Sequence, residues 1–335
     1  MMDWTDRHCR YFHRVLSPHA RLYTEMITTG ALLHGDVARH LDFHPDERPV
    51  GLQLGGSEPD ELARCARMGE RWGYSEINLN CGCPSPRVQR GSFGACLMAE
   101  PALVADCVRA MRDAVGIPVT VKHRIGIERR DEYPFVLEFV EKLRDAGCST
   151  FIVHARSAWL TGLSPKENRE VPPLRHDLVH RLKCDFPGTT FVLNGGLQDS
   201  GAALRELECV DGVMLGRAAY HLPWVLVELE RALFGSDGAP ADAGEVVRAM
   251  TGYLERACAD GVAVRAVVRA MLGLHHGHRG ARSWRRLLSD PGFLAHHGPQ
   301  SLAAAARAIP GGPWEPAKRA DEEWEAAAPQ LAADD

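Results

Sequence analysis

The densest chemistry in the chain lies in Asn78-Leu79-Asn80-Cys81-Gly82-Cys83-Pro84-Ser85, with Gly91, Gly94 and Cys96 close behind. A strand that runs into Gly-Cys-Pro ends in a tight turn, where a thiol can be presented to a ligand. Cys83 is therefore a candidate catalytic thiol, with small buried loop cysteines as the plainer alternative. Zinc fits poorly, because Cys-x-Cys is not structural-zinc spacing and no Cys/His pair follows at motif distance. No metal is expected. In Val121-Lys122-His123-Arg124 a lysine sits at the end of an apolar run. Lysine is seldom buried without a partner, so an anion or electron-rich ring beside Lys122 is one explanation and a snorkelling side chain the other. His154 in FIVH and Gln53 in LQL are weak signals singly. Two glycine turns, Asn194-Gly195-Gly196 and Gly216-Arg217, could cradle a phosphate on backbone N–H groups.

These side chains need a frame. Strands are expected over 22–26, 50–54, 76–80, 119–122, 151–154, 190–194 and 212–215, several of them nearly continuous apolar runs. Helices are expected over 57–72, 101–115, 133–146, 174–185, 199–207 and 223–234. Alternating β and α elements at this spacing mean a parallel α/β architecture. Gln53, Asn80, Lys122, His154 and Asn194 each fall at or near the C-terminal end of a different strand, the arrangement a (β/α)₈ TIM barrel provides. No G-x-G-x-x-G follows a strand, which weighs against a doubly wound sheet. The barrel should occupy 1–234. Residues 235–244 (GSDGAPADAG) read as a linker, and 245–309 as a small all-helical domain. From 310 to 335 an acidic, Ala-rich tail is expected to be disordered.

The 335 residues are 45% hydrophobic and 25% charged, enough to bury a sizeable core and unlike a disordered or fibrous chain. A net charge of −5 excludes a protein that is basic throughout, so any nucleic-acid contact must be local. Residues 262–290 supply such a patch, with six arginines (265, 269, 279, 282, 285 and 286) against Asp290. The ten cysteines do not read as a disulfide framework, and no signal peptide or membrane span is evident. A cytoplasmic location is expected, with no membrane association and no stable protein partner implied.

The segments 3–12 (DWTDRHCRYF), 52–56 (LQLGG), 76–98 (EINLNCGCPSPRVQRGSFGACLM), 118–127 (PVTVKHRIGI), 151–174 (FIVHARSAWLTGLSPKENREVPPL), 193–196 (LNGG) and 211–220 (DGVMLGRAAY) resemble the tRNA-dihydrouridine synthases, most closely their A-type subfamily. Residues 271–288 (MLGLHHGHRGARSWRRLL) resemble that family's helical domain. The resemblance implies an FMN-binding barrel that uses NADPH to reduce the C5–C6 bond of a tRNA uridine. By position, Met1, Met2, Gln53, Lys122 and His154 would contact the flavin, and Asn194, Gly195, Gly196, Gly216 and Arg217 would hold its phosphate. Cys83 would be the proton donor, and Asn80 would lie against the uridine. Lys166, Arg169, Arg282 and Arg285 resemble the subfamily's tRNA-orienting set, which implies D-loop uridines 20 and 20a. Hydride addition at uracil C6 leaves charge at C5 and the carbonyl, so a neutral acid is needed there, and a free thiol (pKa ~8.5) is mostly protonated at neutral pH. Another flavin barrel acting on a free pyrimidine, or a non-catalytic tRNA-binding protein, are the competing readings.

Family members open with a strand ending in Ala-Pro-Met ahead of the Asp-Trp-Thr-Asp motif, whereas this chain begins Met1-Met2-Asp3-Trp4. The first barrel strand is therefore expected to be absent from the chain and encoded upstream in frame. Its restoration is expected to raise bound FMN and melting temperature.

Overall fold

A computed structural model describes residues 1–235 and 238–309. The expected tail, and residues 236–237 of the expected linker, lie outside the described residues. The chain divides into two compact units, one of Met1–Ala239 and one that begins at Pro240.

The first unit is built on seven strands: β1 (Leu22–Thr28), β2 (Val50–Gly55), β3 (Glu76–Cys81), β4 (Val119–Arg124), β5 (Thr150–His154), β6 (Thr190–Asn194) and β7 (Gly212–Met214). All are parallel, and each pairs with the next in sequence. Helical crossovers between neighbouring parallel strands keep one hand, so the sheet curls with its helices outside. Among the described residues no ladder joins β7 to β1.

The strands carry two chemistries because side chains alternate between faces. On β3, Ile77, Leu79 and Cys81 are fully buried and join Leu52, Leu54, Val121 and Phe151 in the core under the helices. The alternate residues Glu76, Asn78 and Asn80 are buried as well, and they are polar. The helix Pro59–Trp72 shows how the covering layer is punctuated. Pro59, Asp60 and Glu61 occupy its first turn, and Gly73 ends it at φ +89 with its N–H on the Glu70 and Gly69 carbonyls. It buries Leu62, Ala63, Cys65 and Ala66.

One helix buries charged side chains beside a short apolar stripe of Cys9, Phe12 and Leu16. Arg7–Leu16 buries His8, Arg10, His13 and Arg14. Arg10 meets the buried Glu47 at 2.6 Å, and Arg14 donates to the carbonyls of Glu47 (2.9 Å), Ser17 (2.8 Å) and Pro18 (2.6 Å). Charge that would mark a surface face is here consumed by Glu47, far along the chain, and by the carbonyls just past the helix end.

The second unit contains the helices Ala243–Ala259, Val264–Val268, Ala281–Ser289, Pro291–His297 and Ser301–Arg307. The first begins inside the 235–244 stretch expected as linker, because Asp242 caps it by accepting from the Glu245 N–H. Trp284 is fully buried, donates its indole N–H to the Met271 carbonyl at 2.8 Å and meets the His275 ring edge-on. Arg282 and Arg285, three apart on Ala281–Ser289, are both exposed on the side of the helix away from Trp284 and Leu288. No described helix is long and apolar enough to cross a membrane.

Candidate active site at the strand ends

Register brings the candidates together. Gln53 pairs with Asn78 across β2–β3, and Asn80 with Lys122 across β3–β4. Arg124 pairs with His154, and His154 with Asn194. Period-two alternation then puts Gln53, Asn80, Lys122, Arg124, His154 and Asn194 on the inner, polar face of the curl at its C-terminal end.

The turn that carries Cys83 is held from several sides. Asn80 Oδ1 accepts from the Gly82 N–H (3.1 Å) and the Cys83 N–H (3.0 Å). The Cys83 carbonyl accepts from the Ala95 N–H at 2.9 Å, and Arg124 Nε donates to the Gly82 carbonyl at 3.1 Å. The Cys83 thiol is half-buried, with Ser85 Oγ 3.6 Å away. Cys81 lies two residues back on the opposite face, fully buried in the core, and burial pushes its thiol well above the ordinary range. Only one of the pair is available to a ligand.

Behind Asn80 runs a line of side-chain hydrogen bonds. Asn80 Nδ2 donates to Gln53 Oε1, Gln53 Nε2 to Asn78 Oδ1, and Asn78 Nδ2 to Thr120 Oγ1, each at 2.8 Å. Thr120 donates to Glu76 Oε1 at 2.5 Å, and Tyr23 donates to the same oxygen at 2.9 Å. Arg21 pairs with the other carboxylate oxygen.

On the far side of the mouth the charges are mostly positive. Lys122 Nζ donates to Asn194 Oδ1 at 2.9 Å, and Asn194 Nδ2 donates to the Met214 carbonyl at 2.7 Å. Burial, with Arg124 adding to it, lowers the Lys122 ammonium to about 7. His154 is held well below its ordinary value by burial and by the charges of Arg124, Lys122, Arg156 and Arg169. Arg124 is buried, and burial brings it down to about 10. Its partners are all backbone carbonyls: Gly82, then Ser157 (3.0 Å) and Asn168 (2.8 Å) through Nη1. The buried Nε of Arg156 has no hydrogen-bond partner. Cations gathered without matching carboxylates leave room for an anionic ligand.

The Lys122 shift has a measurable consequence. Between pH 10.5, its ordinary value, and about 7, the unfolded chain holds a proton on Lys122 that the folded chain does not. Folding stability from this group therefore falls as pH drops through that window and is flat below it. In ligand-free protein, Lys122→Met is expected to melt increasingly above the wild type as pH falls from about 10 to 7. A constant difference in melting temperature across that range would refute the assignment.

Past β6, Gly195 and Gly196 take φ +108 and +76, both left-handed. A Cβ on Gly195 would lie 2.6 Å from His154 Cδ2, so the turn is pressed against that ring. His176 bonds the Gly195 carbonyl at 2.9 Å through Nε2 and Glu206 at 3.0 Å through Nδ1. Gly216 is different: its φ is −123, and only the Met1 sulfur (3.4 Å) approaches the place of a Cβ. Arg217 pairs with Glu170 at 2.6 Å. Met1 thus lies beside the second turn, and the side chains of Met1 and Met2 are both exposed. Lys166 and Arg169 are exposed around the short turn Glu167–Arg169 that follows β5. Arg282 and Arg285 belong to the second unit.

Sequence reasoning passed over Arg124, Arg156, Asn78 and Thr120. A signal existed for three of them: Thr120 and Arg124 share a face with Lys122, and Asn78 with Asn80, by strand alternation alone. Nothing in the strand pattern marks Arg156, which lies past the end of β5.

The profile of the family described as Dihydrouridine synthase (Dus) matches residues 1–309. A tRNA-dihydrouridine(20/20a) synthase of Pseudomonas aeruginosa is 57% identical over 289 residues, 86% of this chain and 87% of that protein. The protein of that name from Escherichia coli K12 is 55% identical over 291 residues, 87% and 84% of the two chains. That from Synechocystis is 52% identical over 308 residues, 92% of each. The family fold is a TIM barrel, and the curled parallel sheet here is of that class. With the thiol turn, the strand-end polar set and these matches spanning both compact units, the chain belongs to the dihydrouridine synthase family.

Proposed function

We propose that the chain reduces D-loop uridines 20 and 20a of tRNA to dihydrouridine in the cytoplasm, with FMN as cofactor and NADPH as reductant. Dihydrouridine synthases are flavin-dependent. The observation that carries the reading is the convergence on one strand-end mouth of a half-buried thiol with Lys122 and Arg124, basic side chains whose partners are an amide and backbone carbonyls rather than carboxylates. The residues present fit an anionic flavin: Lys122 and Arg124 are cations without a carboxylate partner, Arg156 Nε is unpaired, and the Gly195-Gly196 turn has no room for side chains.

In this reading Gln53, Lys122 and His154 hold the isoalloxazine, with Met1 and Met2 beside it. Asn194, Gly195, Gly196, Gly216 and Arg217 receive the phosphate, and Glu170 must then share Arg217 with it. Bound FMN supplies the hydride that adds at uracil C6. Cys83 delivers the proton to C5, and its turn is fixed by Asn80 and Arg124 before substrate arrives. Lys122 offsets negative charge beside the ring. Asn80 lies against the uridine, which must leave its stack to reach the mouth.

The second unit is the tRNA-binding part of this proposal, with Arg282 and Arg285 joining Lys166 and Arg169 in orienting the tRNA. Replacing Arg282 and Arg285 with alanine is expected to raise the KM for tRNA about tenfold and to reduce the salt slope of binding by about 2. NADPH oxidation without tRNA is expected to stay unchanged, and an equal loss there would mean a folding defect instead. The proposal as a whole is tested by mapping dihydrouridine in tRNA from cells that lack and then regain the gene. Loss and recovery at positions 20 and 20a are expected. Unaltered dihydrouridine at both positions refutes the assignment.

A further inference from the structure

We infer that Glu76, Thr120 and Asn78 are positioning residues for Cys83, acting through a hydrogen-bond relay of fixed direction that ends in Asn80. The inference rests on the proposed reduction of uridine and adds residues that the reading above does not use.

The two ends of the relay set its direction. At the mouth, the Gly82 and Cys83 N–H groups can only donate, so the group they share must be the oxygen of Asn80. Asn80 is left with Nδ2 as a donor, and Gln53 must accept with its oxygen. Gln53 Nε2 then donates to Asn78, Asn78 Nδ2 to Thr120, and the threonine hydroxyl must spend its proton on Glu76. At the other end the carboxylate can only accept. Both ends demand the same orientation of every amide between them.

Glu76 and Asn80 are the first and fifth residues of β3, about 13 Å apart at strand rise. The relay therefore reaches from the base of the strand face to its mouth. It runs through side chains shielded from water, since Glu76, Asn78 and Thr120 are 1%, 0% and 2% exposed. Arg21 and Tyr23 hold the carboxylate in place at the base. A flipped amide at the fully buried Asn78 would face donor to donor or acceptor to acceptor without solvent to relieve it, so a flip there must propagate or be forbidden.

The consequence at the mouth is specific. Both lone pairs of Asn80 Oδ1 are taken by the Cys83 turn and one Nδ2 hydrogen by Gln53. A single N–H remains, so Asn80 can offer a bound pyrimidine a donor and nothing else. That matches a carbonyl oxygen. The same fixed oxygen holds the Cys83 N–H, and with it the turn that carries the thiol, in one place.

Thr120→Val tests the relay, because it keeps the side-chain shape and removes the one hydroxyl that both accepts and donates. The expected result is a roughly tenfold lower kcat for uridine reduction in tRNA, with flavin content and the NADPH-driven reduction of flavin within about twofold of wild type. Alkylation of Cys83 by iodoacetamide, followed by mass spectrometry, should quicken about threefold as the turn loosens. Thr120→Ser should restore both. Wild-type kcat and alkylation rate in Thr120→Val would overturn the inference, as would equal losses in the NADPH step or a defect that serine does not recover. If the valine variant fails to fold, Asn78→Leu, which removes both the acceptor for Gln53 and the donor to Thr120, is measured in its place with the same expectations, and wild-type behaviour there overturns the inference too. A wild-type protein inactive on tRNA would instead overturn the activity reading, and the Cys83 alkylation ratio would still decide the relay.

Discussion

Cys83→Ala is expected to retain bound flavin and to lose about 10²–10⁴-fold in uridine reduction, the usual cost of removing a general acid. The thiol is the half-buried member of the pair at the end of β3, and it sits on a turn tied down through Asn80, Arg124 and Ala95. Cys81→Ala is the informative control. That side chain packs in the core beneath the helices, so its loss should lower stability by about 1 kcal/mol through a small void and leave turnover near wild type. Single-turnover reduction of tRNA by pre-reduced enzyme separates the two. Equal turnover in both variants would remove Cys83 from the role of proton donor.

Arg124→Met is expected to have the next largest effect, on stability and turnover together. One guanidinium joins the carbonyl of Gly82, in the thiol turn, to those of Ser157 and Asn168, in the segment after β5 that also carries Lys166 and Arg169. Asn168 is itself locked into that segment, exchanging hydrogen bonds with the backbone of Trp159 at 2.7 and 2.9 Å. Methionine fills much of the space and leaves three carbonyls without a donor, at a cost of about 3 kcal/mol or more. The melting temperature should fall by roughly 6–12 °C, and kcat/KM for tRNA by about 10² because proton donor and tRNA segment lose their common anchor. Arg124→Lys should not rescue, since a single ammonium cannot span carbonyls in three directions. A lysine variant with wild-type melting and turnover would show that charge alone suffices.

What could be read from the sequence follows from what is local. The seven strands announce themselves because their outer faces are apolar, as in Ile77, Leu79 and Cys81, and the helix over 59–72 because Pro59 opens it and Gly73 closes it. The site's outline was legible because polar residues interrupt apolar runs at strand ends. The links between those residues were not. That Thr120 stands between Asn78 and Glu76, or that Arg124 reaches Ser157, depends on register between strands and on loops far apart in the chain. The helix Arg7–Leu16 was missed for the same reason, since its buried arginines find a partner in Glu47, distant in the chain, that no periodicity foretells. Local pattern gives the frame; pairings across the frame come only with the fold.

The two glycine turns at the mouth stand in different positions with respect to inherited change. A glycine codon that mutates by one base to another amino acid gains a Cβ every time. At Gly195 that atom would lie 2.6 Å from the His154 ring, and at Gly196 2.4 Å from Leu174, each on a left-handed backbone that side chains resist. At Gly216 the backbone is on the ordinary side of φ and the space beside it is nearly open. The first turn is an evolutionary fixture that no single step can leave without moving His154 or Leu174. The second has no such steric lock, so of the two turns that receive the same phosphate in the proposed reading, only the one at Gly216 has room beside it for a side chain.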